Sequence, residues 1–146
     1  MMRSYPRTSD RPADVDTFLA EVLVTAIEGG ISYWSSVDFY AWNFDGEATG
    51  ELPPAPSNGG NAYARIEVLP EYVDPEGGLA ASYELTLDTV ALGLQRAVES
   101  GGNAGRGLAA ALEPHPAKDD LTDLDVDANT ADAIIQFALF GTQVFG

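Results

Sequence analysis

Apolar residues recur at three- and four-residue steps between positions 15 and 27. Val15, Phe18, Leu19, Val22, Leu23, Ala26 and Ile27 fall on one stripe, which predicts an amphipathic helix. Asp14 stands where an N-cap is expected, and Gly29–Gly30 where a helix stops. The pattern then changes. Residues 31–44 (ISYWSSVDFYAWNF) are aromatic and β-branched, and their second half reads as a strand. Strict alternation there puts Val37, Phe39 and Ala41 on one side and Tyr40, Trp42 and Phe44 on the other. The Pro- and Gly-bearing segment 51–60 reads as a long hairpin connection.

Ala64, Ile66 and Val68 alternate with Tyr63, Arg65 and Glu67, the signature of a half-buried antiparallel strand. A turn at 74–78 leads to a third alternating run, Tyr83, Leu85 and Leu87 against Ser82, Glu84 and Thr86. Leu87, Ala91, Leu94 and Val98 then return at helical spacing, with Asp88 as the expected cap and Gly101–Gly102 as the end. A short helix is expected at 108–113. The last helix, about 129–140, is apolar on most faces, so it is either central or packed on a partner. Asp127 or Asn129 would cap it. The order α-β-β-β-α-α predicts an α+β fold: a small antiparallel meander of about three strands packed against three to four helices. Residues 1–13, held out of helix by Pro6 and Pro12, read as a basic N-terminal arm, and 14–146 as a single domain.

Composition narrows the functions. There are 23 acids against seven Lys or Arg, a formal net charge of −16 in 146 residues. Arg3, Arg7 and Arg11 precede all but one of the acids, leaving Arg65, Arg96, Arg106 and Lys118 for the rest of the chain. Such a field opposes direct binding of nucleic acid or an anionic membrane, and suits a solubilising surface. Without cysteine, thiol catalysis, disulfides and cysteine-held metals are excluded. The single histidine, His115, excludes sites built on two imidazoles. No apolar run approaches a membrane span, and no secretory leader is recognisable, so a cytoplasmic protein without cofactor or metal is expected.

The segment Glu28-Gly29-Gly30-Ile31-Ser32-Tyr33-Trp34 is the first candidate site. An acid at a helix C-terminus opposes the helix dipole, two glycines remove bulk, and an aromatic pair follows that could stack on a base or sugar, with Trp42 near by. The bland reading is a helix cap followed by core aromatics. Glu99, which also precedes a Gly–Gly pair, repeats the acidic helix end without the aromatics. Gly105, Arg106 and Gly107 lie in a glycine-rich loop able to cradle an anion, although the loop lacks the Lys-Ser/Thr ending of a P-loop. Asp123, Asp125 and Asp127 imitate the start of a calcium loop, but Ala128 and Ile134 stand where that motif needs glycine and glutamate. A triad could be composed from Ser35 or Ser36, His115 and an aspartate, without the spacing of a nucleophile elbow.

The segments TAIEGGISYW (25–34) and DANTADAIIQFALFG (127–141) resemble an uncharacterised group of small proteins from actinobacterial phages and mobile elements. The resemblance implies an accessory or host-interaction role, and the arrangement of both motifs suggests that they meet in space, with the C-terminal helix packing on the first one. The expected function is therefore a non-catalytic acidic interaction protein. It would use the apolar C-terminal helix or the aromatic strand to meet a protein partner or a second copy. The alternatives are a nucleotide- or metabolite-binding protein or enzyme at the Glu28–Trp34 junction, and a DNA mimic that displays carboxylates in place of phosphates.

Overall fold

A computed structural model describes residues 12–43, 60–73, 81–101, 108, 111 and 126–145. It holds three α-helices and a three-stranded antiparallel sheet, one small α+β domain. Helix α1 spans Ala13–Thr25 and passes without a break into one π turn, Ala26–Gly30. Its start differs from expectation. Pro12, not Asp14, occupies the N-cap, and its carbonyl accepts the amides of Val15 and Asp16. Proline's fixed φ suits a helix start, so Asp14 falls inside the first turn, where its charge complements the dipole. The expected stop at Gly29–Gly30 also moves. Both glycines belong to the wider turn, which Ile31 closes by donating its amide to the Ala26 carbonyl at 3.0 Å.

Strands β1 (Ser35–Asn43), β2 (Asn61–Val68) and β3 (Ser82–Leu85) pair in sequence order. The alternation of β2 is as the sequence predicts: Ala62, Ala64, Ile66 and Val68 are buried beneath the helices, and Arg65 and Glu67 face out. The assignment of faces in β1 is corrected by a bulge. Val37 pairs with Ile66, but Phe39 pairs with Arg65 and Tyr40 with Ala64. One extra residue, Asp38, shifts the alternation. Val37 thereby joins Tyr40 and Trp42 on the helix side, opposite Phe39 and Ala41. Phe44 lies outside the described residues.

Between β2 and β3 the chain makes a short 3-10 turn at Pro70–Tyr72. Helix α2 (Leu87–Glu99) is capped by Thr86 rather than Asp88, in a reciprocal arrangement. The Thr89 amide reaches Thr86 Oγ1, and the Thr86 amide reaches Thr89 Oγ1. Asp88 sits two residues inside the cap, in the first turn. Helix α3 (Ala128–Phe140) begins at Asp127, whose Oδ1 accepts the Thr130 amide at 2.8 Å, and ends at Gly141 in the left-handed region.

Helix α1 lies on β2, α2 spans β2 and β3, and α3 packs against α2 and the π turn. Residues 131–136 of α3 are all buried. The first half of this apolar helix is therefore satisfied within the chain, while Phe137, Leu139 and Phe140 are half-buried. The approach of α2 to α3 is close: a Cβ on Gly93 would stand 2.1 Å from the Ile134 carbonyl oxygen. Arg96, one turn further on, donates Nη1 to the Phe137 and Ala138 carbonyls at 3.1 and 3.0 Å, capping the end of α3 with a cation. The expected helix at 108–113 falls mostly outside the described residues. Of it, Leu108 and Ala111 are buried, joined by an amide–carbonyl bond of 3.0 Å.

Candidate functional site at the Asp132 junction

The two motifs meet. The π turn brings Gly30 against the start of α3, where a Cβ would stand 2.7 Å from the Ala128 carbonyl oxygen. The next residues form a tight turn in which Ile31 O accepts the amides of Trp34 and Ser35. This turn aims Tyr33 and Trp34 at one carboxylate. Asp132 Oδ1 accepts the Trp34 indole N–H at 2.9 Å and the Gln136 side-chain amide at 2.8 Å, while Oδ2 accepts the Tyr33 hydroxyl at 2.6 Å. Trp34, Asp132 and Gln136 are buried. A carboxylate buried without a cation is tolerable only when such donors replace its water.

Gln136 carries the network onward. Its Oε1 accepts the backbone amides of Val144 and Phe145, both at 2.7 Å, and its Nε2 lies 3.3 Å from the Phe145 carbonyl. The strap that follows α3 is thus folded back over the junction. Phe145 stacks on Trp34 with centroids 5.0 Å apart and planes 9° from parallel, and Phe140 meets the indole edge-on at 5.7 Å. Tyr72 and Tyr83 complete the cluster, against Phe145 and Phe140 respectively. Asp132, Gln136, Tyr72 and Phe145 are absent from the sequence-predicted site. A signal for two of them exists: Asp132 and Gln136 are the only polar positions between Ala131 and Phe140, one turn apart on a helix that must be buried. Buried polar side chains at that spacing require partners.

The other predicted residues are dispersed. Glu28 and Gly29 are exposed on the outer side of the π turn, with the Tyr40 hydroxyl 3.5 Å from Glu28 Oε2. Burial and the nearby Glu28 push the Tyr40 phenol well above its ordinary range. Trp42 is on β1, at the sheet edge. Gly105, Arg106, Gly107, His115, Asp123 and Asp125 lie outside the described residues. Asp127 is engaged as the α3 cap, and the Thr130 amide holds its carboxyl below the usual range. Ser35 is buried and donates its hydroxyl to Ile31 O at 2.9 Å. Among the described residues no group of three or more His, Asp or Glu could hold a metal ion, and no helix is long and apolar enough to cross a membrane.

Chemically, the junction is a donor network with its proton positions fixed. Burial first, then the hydrogen bond to Asp132, pushes the Tyr33 phenol up to about 12. At neutral pH this phenol stays protonated, and both oxygens of Asp132 already accept bonds. Such an arrangement orients side chains. No protein-family model matches the chain, and comparison with curated proteins and with solved structures gives no match either.

Proposed function

We propose that this protein is a non-catalytic, acidic interaction protein, acting through protein–protein contacts in an accessory role of the kind phage and mobile-element proteins perform. The observation that supports it most is the placement of β1. Among the described residues this nine-residue strand forms one edge of the sheet, and it carries Val37 and Trp42, 44 % and 48 % exposed. Helix α3 has residues 131–136 inside the fold, so the aromatic strand is the better candidate for contact. Exposed large apolar side chains on a sheet edge favour a protein partner.

The surface also suggests how contact is limited. The bulge at Asp38 interrupts the edge, and Asp38 is held at 3.1 Å by Arg65, which also lies over the Phe39 ring at 5.5 Å. A bulge and a charge on an edge strand discourage indiscriminate strand addition. A net charge of −16 disfavours a second copy and favours a basic partner. The small-ligand reading has less support, because Phe145 already covers the Trp34 face that a base or sugar would use. The DNA-mimic reading also has less support, since Asp16 of helix α1 is fully buried and is not displayed.

Quantitative affinity capture with wild-type protein and a Val37→Glu, Trp42→Ala double variant tests the proposal. A basic protein retained saturably by the wild type, lost with the double variant and weakened by salt is the expected result. Retention that ignores both substitutions would remove β1 as the contact surface.

A further inference from the structure

The strap of residues 141–145 is held by recognition contacts rather than by secondary structure. Gln136 reads only its main chain: Oε1 takes two successive amides, and Nε2 faces the following carbonyl. This side-chain amide offers an acceptor and a donor, as the edge of a strand would, and makes no demand on side-chain identity. Selectivity enters through one ring. Phe145 is received by Trp34 on its face, by Tyr72 at 5.0 Å and by Phe140 at 5.9 Å. The remainder of the strap contributes little. Residues 141–144 are exposed, and Gly141 at φ +77° forms the pivot after α3. Segments with few buried contacts and no ladder hydrogen bonds open first.

We propose that the slot bounded by Trp34, Tyr72, Phe140 and Gln136 is a peptide-binding site, filled in this structure by the chain's own Val144–Phe145. It accepts in exchange a partner segment that presents two successive backbone N–H groups and an aromatic ring. The strap is then an internal competitor. A short tether supplies it at an effective concentration on the order of millimolar, so a partner peptide binds weakly until the strap is displaced or its ring removed. The β1 surface plays no part in this exchange, and each proposal stands or fails separately.

The test uses the full chain carrying Phe145→Ala and a blocked peptide, acetyl-Gly-Thr-Gln-Val-Phe-Gly-amide, which copies residues 141–146. Trp34 and Trp42 are the two tryptophans, so the indole N–H region of a nitrogen–proton NMR spectrum holds two signals, assigned with Trp42→Phe. In Phe145→Ala the Trp34 signal should shift saturably with peptide. In the wild type the same shift should need at least about tenfold more peptide. A peptide with alanine for phenylalanine should leave the signal in place.

A folded Phe145→Ala protein whose Trp34 signal ignores millimolar peptide would overturn the proposal. Val144→Pro, which removes one amide but keeps the ring, is the second variant and should also bind peptide more tightly than the wild type. Loss of fold in both variants would make the strap an integral part of the core and overturn the exchange. A wild-type dimer that becomes monomeric in Phe145→Ala, read by light scattering, would assign the slot to a second copy and overturn the partner reading.

Discussion

Trp34 and Asp132, 98 positions apart in sequence, are joined by a buried 2.9 Å hydrogen bond from indole to carboxylate. The bond ties the turn after the first helix to the last helix, and Tyr33 and Gln136 converge on the same carboxylate. Replacing Asp132 by Ala leaves the indole and the Gln136 amide without their acceptor in the interior. The expected loss is about 3 kcal/mol, measured by urea unfolding. Asp132→Asn keeps one accepting oxygen and should lose less, about 2 kcal/mol. Equal stability of Asp132→Ala and the wild type would show that the network does not hold the junction together.

The two close approaches of backbone make a sharper contrast. Gly93→Ala places a methyl against Ile134 O and Gly30→Ala places one against Ala128 O, at 2.1 and 2.7 Å before relaxation. Each should destabilise by roughly 2–4 kcal/mol, Gly93→Ala more, because neither neighbour is a flexible side-chain end. At Gly29 the nearest atom is 3.9 Å away, so Gly29→Ala should be neutral or stabilising by about 0.5 kcal/mol. Thermal unfolding of the three single variants separates these outcomes.

Arg96 supports α3 through main-chain carbonyls rather than through an acid. Arg96→Met, which keeps most of the side-chain length but not the charge, should cost about 1–2 kcal/mol. Arg96→Lys should recover only part of it, because one ammonium satisfies the two carbonyls with poorer geometry. Chemical denaturation of both variants measures the ranking.

High pH probes Tyr33. Its phenol is held up to about 12 in the folded chain against an ordinary value of 10. The protonated form is the one the fold favours, so this contribution to stability is complete below pH 10 and is lost as pH rises from 10 through 12. Absorbance titration at 295 nm should show Tyr33 ionising late, in company with Tyr40. Tyr33→Phe should remove one late titrant and flatten the decline of stability between pH 10 and 12. Loss of a titrant near pH 10 rather than a late one in that variant would contradict the Asp132 contact.

The edge strand should separate stability from binding. Val37→Glu changes an exposed side chain, so the melting temperature should barely move, within about 0.5 kcal/mol of the wild type. Retention of a basic partner should nevertheless fall. A protein that unfolds on this substitution would place Val37 in the core.

Much of this fold is legible along the chain because local periodicity reports burial directly. The stripe Val15–Ile27, the alternation of Ala64, Ile66 and Val68, and the apolar last helix each record which face meets water, and a single hydrophobic layer leaves few ways to combine them. The meeting of residues 25–34 with 127–141 is legible for the same reason, since two apolar segments must cover one another. What periodicity does not carry is the exchange of one partner for another. Thr86 takes the cap from Asp88 and Pro12 takes it from Asp14, each decided by where the preceding chain arrives. The bulge at Asp38 moves Val37 to the helix side, because pairing with β2 sets register over a longer span than alternation does.

The candidate site divides along the same line. Tyr33, Trp34 and the glycines are conspicuous in sequence, and Asp132 with Gln136 could be marked as polar positions on a buried helix. Nothing local says that one carboxylate collects the indole, the phenol and the amide, or that Phe145 folds back onto Trp34. Composition and periodicity determined the elements and the acidic surface. Only the tertiary structure decided that Trp34 faces Asp132 and Phe145, because hydrogen bonds and ring contacts between segments a hundred residues apart depend on backbone approach, and that approach rests on two missing side chains, at Gly30 and Gly93.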